Sequence, residues 1–204
     1  MQDKEVINIL RNQLKFSSKS IEKFQIFINA LINANKKHNF ISKSTEANIW
    51  HRHVLDSAQL VKFIDFSKSS LSDLGSGAGF PGLVLAIFNE NKDFHVKLYE
   101  KSPVKRAFLE EISKRLSIRV EIKGDIYDEI VDADYIVSRA FKKLEAVIQV
   151  SREIVKKSHK LIVLKGQNAH EDIKKAFKRK KYAYKLEDSI TNKDSKIIIV
   201  DFKK

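Results

Sequence analysis

"LSDLGSGAGFPGLVLAI" (Leu71–Ile87) decides how the chain is read. Four glycines and one proline stand between a short apolar run of strand type and a longer run of helical type. A strand that ends in a glycine-rich turn and opens a helix is a cradle for an anion or a nucleotide. Glycine lets the backbone bend and approach a ligand with no Cβ between them, and a helix start presents N–H groups and positive dipole character. Spacing alone leaves the ligand open. Gly77, Gly79 and Gly82 spell G-x-G-x-x-G, the dinucleotide pattern. Gly75, Gly77 and Gly79 spell G-x-G-x-G directly after Asp73, a turn along which the methionine part of S-adenosylmethionine can lie. Glu100, closing the next strand candidate, can accept both hydroxyls of a ribose in either case.

Outward from this stretch, short apolar runs alternate with helical segments. Strands are expected at Leu71–Leu74, Val96–Glu100, Arg119–Lys123, Tyr135–Ser138 and Lys160–Lys165, with helices at Pro81–Phe88, Pro103–Leu116 and Leu144–Lys157. Both prolines fall where a helix starts, a position that tolerates a missing N–H. The alternation predicts a parallel sheet wrapped by helices. After a further helix over "HEDIKKAFKRKK" come strands at Tyr182–Ser189 and Lys196–Phe202, joined by "TNKDS" as an antiparallel hairpin. Before the glycines, residues 4–63 read as helices. Ile21, Phe24, Ile28, Leu31, Ile32 and Asn35 recur at helical spacing behind a cap at Ser17 or Ser18, and a second helix is expected behind Ser44 or Thr45.

The chain has 204 residues, no cysteine and a net charge of +13. Absence of thiols removes disulfides and suits a reducing cytoplasm, where the protein is expected. There is no run of transmembrane length and no signal-peptide pattern at "MQDKEVINIL", so no membrane partner is expected. His51 and His53 point to different helix faces, and no metal site is expected. Residues 1–60 hold nine Lys/Arg against five Asp/Glu, residues 61–150 fourteen of each, and residues 151–204 sixteen against seven. The whole excess lies in the flanks, which suits a polyanion such as RNA or DNA.

Three features favour a methyltransferase over a dehydrogenase. The tail after the fifth strand is too short for a second substrate domain. It supplies instead a helix and an antiparallel pair, as the seven-stranded methyltransferase sheet requires, and the flanks are basic. Fold class is therefore α/β, a Rossmann-like sheet of seven mostly parallel strands with an antiparallel last strand. Residues 1–65 form a helical extension and residues 66–204 the catalytic unit. A nicotinamide-binding protein, a methyltransferase for another acceptor and a non-catalytic RNA-binding factor are the competing readings.

"DLGSGAGFPGLVLAI" (Asp73–Ile87), "RHVLDS" (Arg52–Ser57) and "SRAF" (Ser138–Phe141), with "HNFIS" (His38–Ser42) and "KSPVKRAFLEEISKRL" (Lys101–Leu116), together resemble the bacterial 16S rRNA guanine-N7 methyltransferases, once called glucose-inhibited division protein B. The resemblance runs in order from about residue 20 to the end. It implies S-adenosyl-L-methionine as cofactor and methyl transfer to N7 of a guanine in the decoding region of 16S rRNA. The acceptor is expected to be that RNA, the 30S subunit or an assembly intermediate; no obligate protein partner is evident in the sequence, and a monomer is expected. It also implies cofactor contacts at Gly75 and Phe80, at Ile126 and Tyr127 flanking the adenine, and at Arg139; the residues themselves add Gly77 and Glu100. The family's usual Arg-Ala-Glu run is replaced by Asp125-Ile126-Tyr127, so Asp125 or Asp128 stands where the usual carboxylate would.

Guanine N7 has a lone pair and no proton, so methyl transfer to it requires no general base, and no catalytic residue is expected. Catalysis then rests mainly on alignment of the reacting atoms, worth roughly 7–11 kcal/mol in favourable cases. Asp73 and Asp125 are the candidates to stabilise the cationic product. In "RHVLDS", His53 lies three residues from Asp56 and four from Ser57, a spacing that predicts one polar cluster, either an RNA contact or an internal clasp to the sheet. "KKAFKRKK" (Lys174–Lys181) is either a solvated helix face or a phosphate contact.

Overall fold

The computed structural model of the chain describes residues 1–67, 70–178 and 183–204. Helices α1 (Asp3–Asn12) and α2 (Ser18–Asn35) come first, then a short α3 (Lys43–Glu46). The Ser17 hydroxyl caps α2 by accepting from Ser20 N–H at 3.2 Å. Ile21, Phe24, Ile28 and Leu31 are buried as the helical stripe requires, and Asn35 is buried at its end. The Asn35 amide secures the chain beyond the helix. Its Oδ1 accepts from the N–H groups of Phe40 and Ile41 (2.9 and 3.1 Å), and its Nδ2 donates to Glu46 at 2.6 Å. The cap expected at Ser44 or Thr45 is instead Ser42, two or three residues earlier. Thr45 lies inside α3 and donates its hydroxyl to the Ser42 carbonyl at 2.9 Å.

The "RHVLDS" helix is not a plain α-helix. Trp50–Leu55 is wound as a π-helix, which runs into α4 (Asp56–Ala58) and a 3₁₀ turn over Gln59–Phe63. The predicted His53–Asp56–Ser57 cluster therefore does not form as such. Ser57 Oγ is buried with no hydrogen-bond partner among the described residues.

Strands and helices then alternate as β1 (Ser70–Leu74), α5 (Gly82–Phe88), β2 (His95–Tyr99), α6 (Pro103–Arg115), β3 (Glu121–Lys123), β4 (Tyr135–Arg139), α7 (Leu144–Ile154), β5 (His159–Lys165), α8 (Ala169–Phe177), β6 (Tyr184–Asp188) and β7 (Lys196–Phe202). They form one sheet in the order β3-β2-β1-β4-β5-β7-β6. The strands from β3 to β5 pair in parallel, and β7 runs antiparallel to both β5 and β6. β3 is shorter than Arg119–Lys123, because this edge strand pairs only with Lys97–Tyr99. α7 stops at Ile154 rather than Lys157, because the chain turns extended at Val155 and bridges Val131 in parallel. Tyr182, the expected start of β6, lies outside the described residues, as do Arg179–Lys181 of the basic run.

α1, α2 and the π-helical turn share one apolar cluster with α5, α6 and one face of the sheet, around Phe24, Phe27, Trp50, Leu83 and Leu109. α7 and α8 cover the other face around Ile136, Ile148, Leu161 and Ile198. The parallel register sets Leu74 beside both Tyr99 and Ser138, and Tyr99 beside Lys123. Gly75, Glu100, Gly124 and Arg139 consequently leave the sheet side by side. β1 is also where chain order reverses, the switch point at which such sheets open a crevice at the carboxyl ends of their strands.

Candidate functional site

The two glycine registers are separated by what each glycine does. Gly75, Gly77 and Gly79 all have positive φ (74°, 57° and 104°), so G-x-G-x-G is a conformational requirement. Gly82 is helical, and its constraint is space: a Cβ there would lie 2.4 Å from Leu98 Cδ2 and 2.7 Å from Asp73 Cβ. Asp73 is fully buried and accepts from Gly82 N–H at 2.9 Å, which ties the start of α5 back to β1. Burial raises its carboxyl to about 7, against the pull of that N–H. Asp73 lines neither cavity described below, so the role of stabilising a cationic product does not fall to it.

The loop's amides are turned inward. Gly75 N–H and Ser76 N–H both donate to Tyr99 O at 2.9 Å, Gly79 and Phe80 N–H donate to Ser76 O, and Gly77 N–H donates to Glu100 Oε2 at 2.9 Å. Glu100 Oε1 accepts from Ser102 N–H at 2.8 Å. A pyrophosphate cradle needs such donors aimed at the ligand. Here five of them are engaged within the chain, one by a carboxylate that would repel a phosphate. The loop suits a ligand without phosphate. Each Glu100 oxygen retains acceptor capacity for a hydroxyl.

A cavity of about 430 Å³ opens over this loop, and the sequence-predicted residues Gly75, Gly77, Phe80, Glu100, Ile126, Tyr127 and Arg139 all border it. A Cβ on Gly77 would meet only Gly75 O, at 3.9 Å, so this glycine leaves ligand space rather than protein space. A Cβ on Gly75 would strike Phe141 of "SRAF" at 2.4 Å. Ile126 is a buried wall, while Tyr127 is 55% exposed at the rim. The Tyr127 hydroxyl accepts from Lys142 Nζ at 2.6 Å, and Lys142 lies 4.7 Å from the Tyr127 ring centre, so two loops meet across the cavity mouth. Asp125 also borders the cavity and accepts from Tyr127 N–H at 3.3 Å.

Arg139 separates this cavity from a second one of about 560 Å³, bounded also by Asp56, Gly166–Asn168 and the β6–β7 turn. Its side chain is 18% exposed, and the carboxylate it meets is Asp56 at 3.5 Å, not its neighbours along the chain Asp134 or Glu145. Arg139 also donates to Arg52 O (3.1 Å) and His53 Nδ1 (2.8 Å), and its guanidinium lies 5.1 Å from the Phe80 ring centre. Burial lowers its pKa and Asp56 works against that shift, so the cation persists. Because Nδ1 faces a guanidinium donor, it is the acceptor, and Nε2 carries the ring proton and donates to Thr45 Oγ1 at 2.9 Å. Burial, and next to it Arg139, depress His53 to about 3, so the ring is neutral. Asp56 Oδ1 further accepts from Thr191 Oγ1 at 2.9 Å, and Gln59 joins Ser189 Oγ and Ile190 N–H at 3.0 and 2.9 Å. "RHVLDS" is thus a clasp from the helical segment to β4 and to the β6–β7 turn. Sequence reading missed Thr191, Ser189 and Thr45 as its partners. The quoted motifs "HNFIS" and "SRAF" were the signal for Phe40, Ile41 and Phe141 around the first cavity.

The model of the GidB family, described as rRNA small subunit methyltransferase G, matches residues 20–198. A protein of Pelagibacter ubique named ribosomal RNA small subunit methyltransferase G is 33% identical over 193 residues, covering 92% of this chain and 90% of the relative. A namesake from Rickettsia prowazekii is 35% identical over 189 residues, 92% of this chain and 97% of its own. Among solved structures, M. jannaschii TYW2 in complex with AdoMet superposes with a TM-score of 0.52 at 18% identity, over 73% of this chain and 74% of that one. That likeness is one of fold.

Proposed function

Since this chain belongs to the rRNA small subunit methyltransferase G family, we propose that it methylates N7 of a guanine in the decoding-region loop of 16S rRNA, with S-adenosylmethionine as methyl donor. The observation that carries this reading is the cavity over a glycine loop whose amides serve the chain itself, which suits a sulfonium cofactor better than a dinucleotide. When bound, the cofactor supplies an electrophilic methyl group.

The chain's own residues do the rest. Gly77 leaves room for close approach, Glu100 offers acceptors to ribose hydroxyls, Ile126 and Tyr127 bound the adenine end, and Gly75, Phe80 and Arg139 complete the wall. Acceptor N7 needs no proton removed. The nearest imidazole, His53, has Nδ1 committed to Arg139, so it serves as a strut rather than a base. Asp56, which borders the second cavity, and Asp125, which borders the first, are carboxylates at the cavities where Asp73 is not. Asp56 offsets the charge of Arg139 and leaves the site less hostile to a cationic product. Residues 1–65 act in this reading as an extension that completes the site, and residues 66–204 as the catalytic unit. The protein acts as a monomer on the RNA, the 30S subunit or its precursor in the cytoplasm.

Two measurements test the reading. Calorimetry should show binding of S-adenosylmethionine and none of NADH. Mapping of 7-methylguanine on small-subunit rRNA, with and without the gene, should show one modified position lost on deletion and restored by the intact chain. Tight NADH binding, or an unchanged modification map, would overturn it.

A further inference from the structure

The segment that closes one side of the cofactor cavity carries, on its other side, a cluster of uncompensated charge. Residues 36–41 leave the end of α2 and are held rigidly by buried Asn35, which receives the N–H groups of both Phe40 and Ile41. Phe40 is packed on Phe108 of α6, with ring centres 4.8 Å apart. Phe40 and Ile41 border the cavity. Outside them runs a groove of about 490 Å³ lined by Lys36, Lys37, His38, Lys43 and Lys105, with Ser102 and Val104 also bordering it. Phe40 and Lys105 border both the groove and the cavity, so the two are continuous.

Some lysines elsewhere are neutralised by carboxylates and others are not; the groove is set apart by its continuity with the cavity. Lys97, Lys123, Lys157, Lys165, Lys175, Lys185 and Lys196 each pair with a carboxylate. Among the described residues, Lys36, Lys37, Lys43, Lys101 and Lys105 form no ion pair, and Asn35 engages the nearby carboxylate of Glu46. Unpaired cations on a pinned backbone keep their counterions until a polyanion displaces them, and pre-ordering lowers what binding costs in entropy.

We propose that this groove takes the phosphodiester backbone of single-stranded RNA beside the acceptor nucleotide. The proposal rests on the RNA-methylating reading above. It assigns the leading phosphate contacts to the α2–α3 segment rather than to the basic run at Lys174–Lys181.

The test compares two variants of equal charge change in the full chain. Lys36→Gln/Lys37→Gln/Lys43→Gln alters the groove and leaves the residues bordering the cavity intact. Lys92→Gln/Lys97→Gln/Arg119→Gln removes three charges at the opposite end of the strands. Affinity for a single-stranded RNA oligonucleotide is measured against salt, and cofactor affinity by calorimetry. The groove variant should lose about 2 from the log–log salt slope, at about 0.7 per phosphate contact. Its KM for RNA should rise, with kcat and cofactor affinity kept, while the control variant stays near wild type. An unchanged slope in the groove variant, or an equal loss in the control, overturns the groove assignment alone. No RNA binding by the unaltered protein overturns the functional reading and the groove with it.

Discussion

Gly77 and Gly82 lie five residues apart and lack a side chain for opposite reasons. A Cβ on Gly77 would project into the cavity, whereas one on Gly82 would collide with Leu98 and Asp73. Gly77→Val should therefore abolish S-adenosylmethionine binding with far-UV circular dichroism near wild type, apart from about 1–2 kcal/mol of left-handed backbone strain. Gly82→Ala should lower stability by about 1–3 kcal/mol through overpacking, read by denaturant unfolding. At Arg139, truncation to Ala should lower kcat/KM at least about a hundredfold, roughly 2.7 kcal/mol of transition-state stabilisation. In the proposed function His53 would act on the same step through Arg139, to which it is hydrogen-bonded. His53→Asn keeps an acceptor near the Nδ1 position and should retain most activity, whereas His53→Gln moves the acceptor to the Nε2 position and should lose it. His53 is depressed to about 3 in the native protein, so the unfolded ring binds a proton more readily below its ordinary value of 6.5. Stability should accordingly fall as pH drops from about 6.5 towards 3, and His53→Asn should remove that component. Single-turnover rates should stay flat between about pH 6.5 and 8.5 if the step needs no general base, since N7 carries no proton to remove.

Among the elements, those decided by neighbours in sequence were legible and those decided across the fold were not. The apolar runs at Leu71–Leu74 and Lys196–Phe202 announced β1 and β7, and Pro103 announced the start of α6, because periodicity and capping are local properties. The π-helical turn at Trp50–Leu55 left no such mark, and an α-helical spacing rule drew His53 and Asp56 together directly when Arg139, 86 residues from His53, is what joins them. For the site, the glycine loop and Glu100 were visible, but the inward turn of the amides depends on Tyr99 O in the adjoining strand, which no spacing encodes. Gln59 carries the clasp to the β6–β7 turn, donating to Ser189 Oγ and accepting from Ile190 N–H. Gln59→Leu would leave the buried Ser189 hydroxyl and the part-buried Ile190 N–H without this partner. A loss of about 1–3 kcal/mol is expected in denaturant unfolding, with weaker RNA turnover if the β6–β7 turn shifts at the second cavity.

The molecule as a whole places its two kinds of surface on different foundations. The glycine loop stands on the parallel half of the sheet, whose strands follow one another along the chain, while the second cavity leans on the β6–β7 turn. In the sheet order β7 lies between β5 and β6, although it is the last of the strands along the chain. Its Ile198 and Val200 are buried in the cluster beneath α7 and α8. A chain truncated before Lys196 should leave the Leu161–Leu164 edge of β5 unpaired, and its soluble yield should collapse although every glycine-loop residue is present. The same insertion bears on biosynthesis. Until residues 196–202 have left the ribosome that makes it, each nascent copy holds an open apolar strand edge and an unfinished hairpin, and is in that interval a substrate for chaperones.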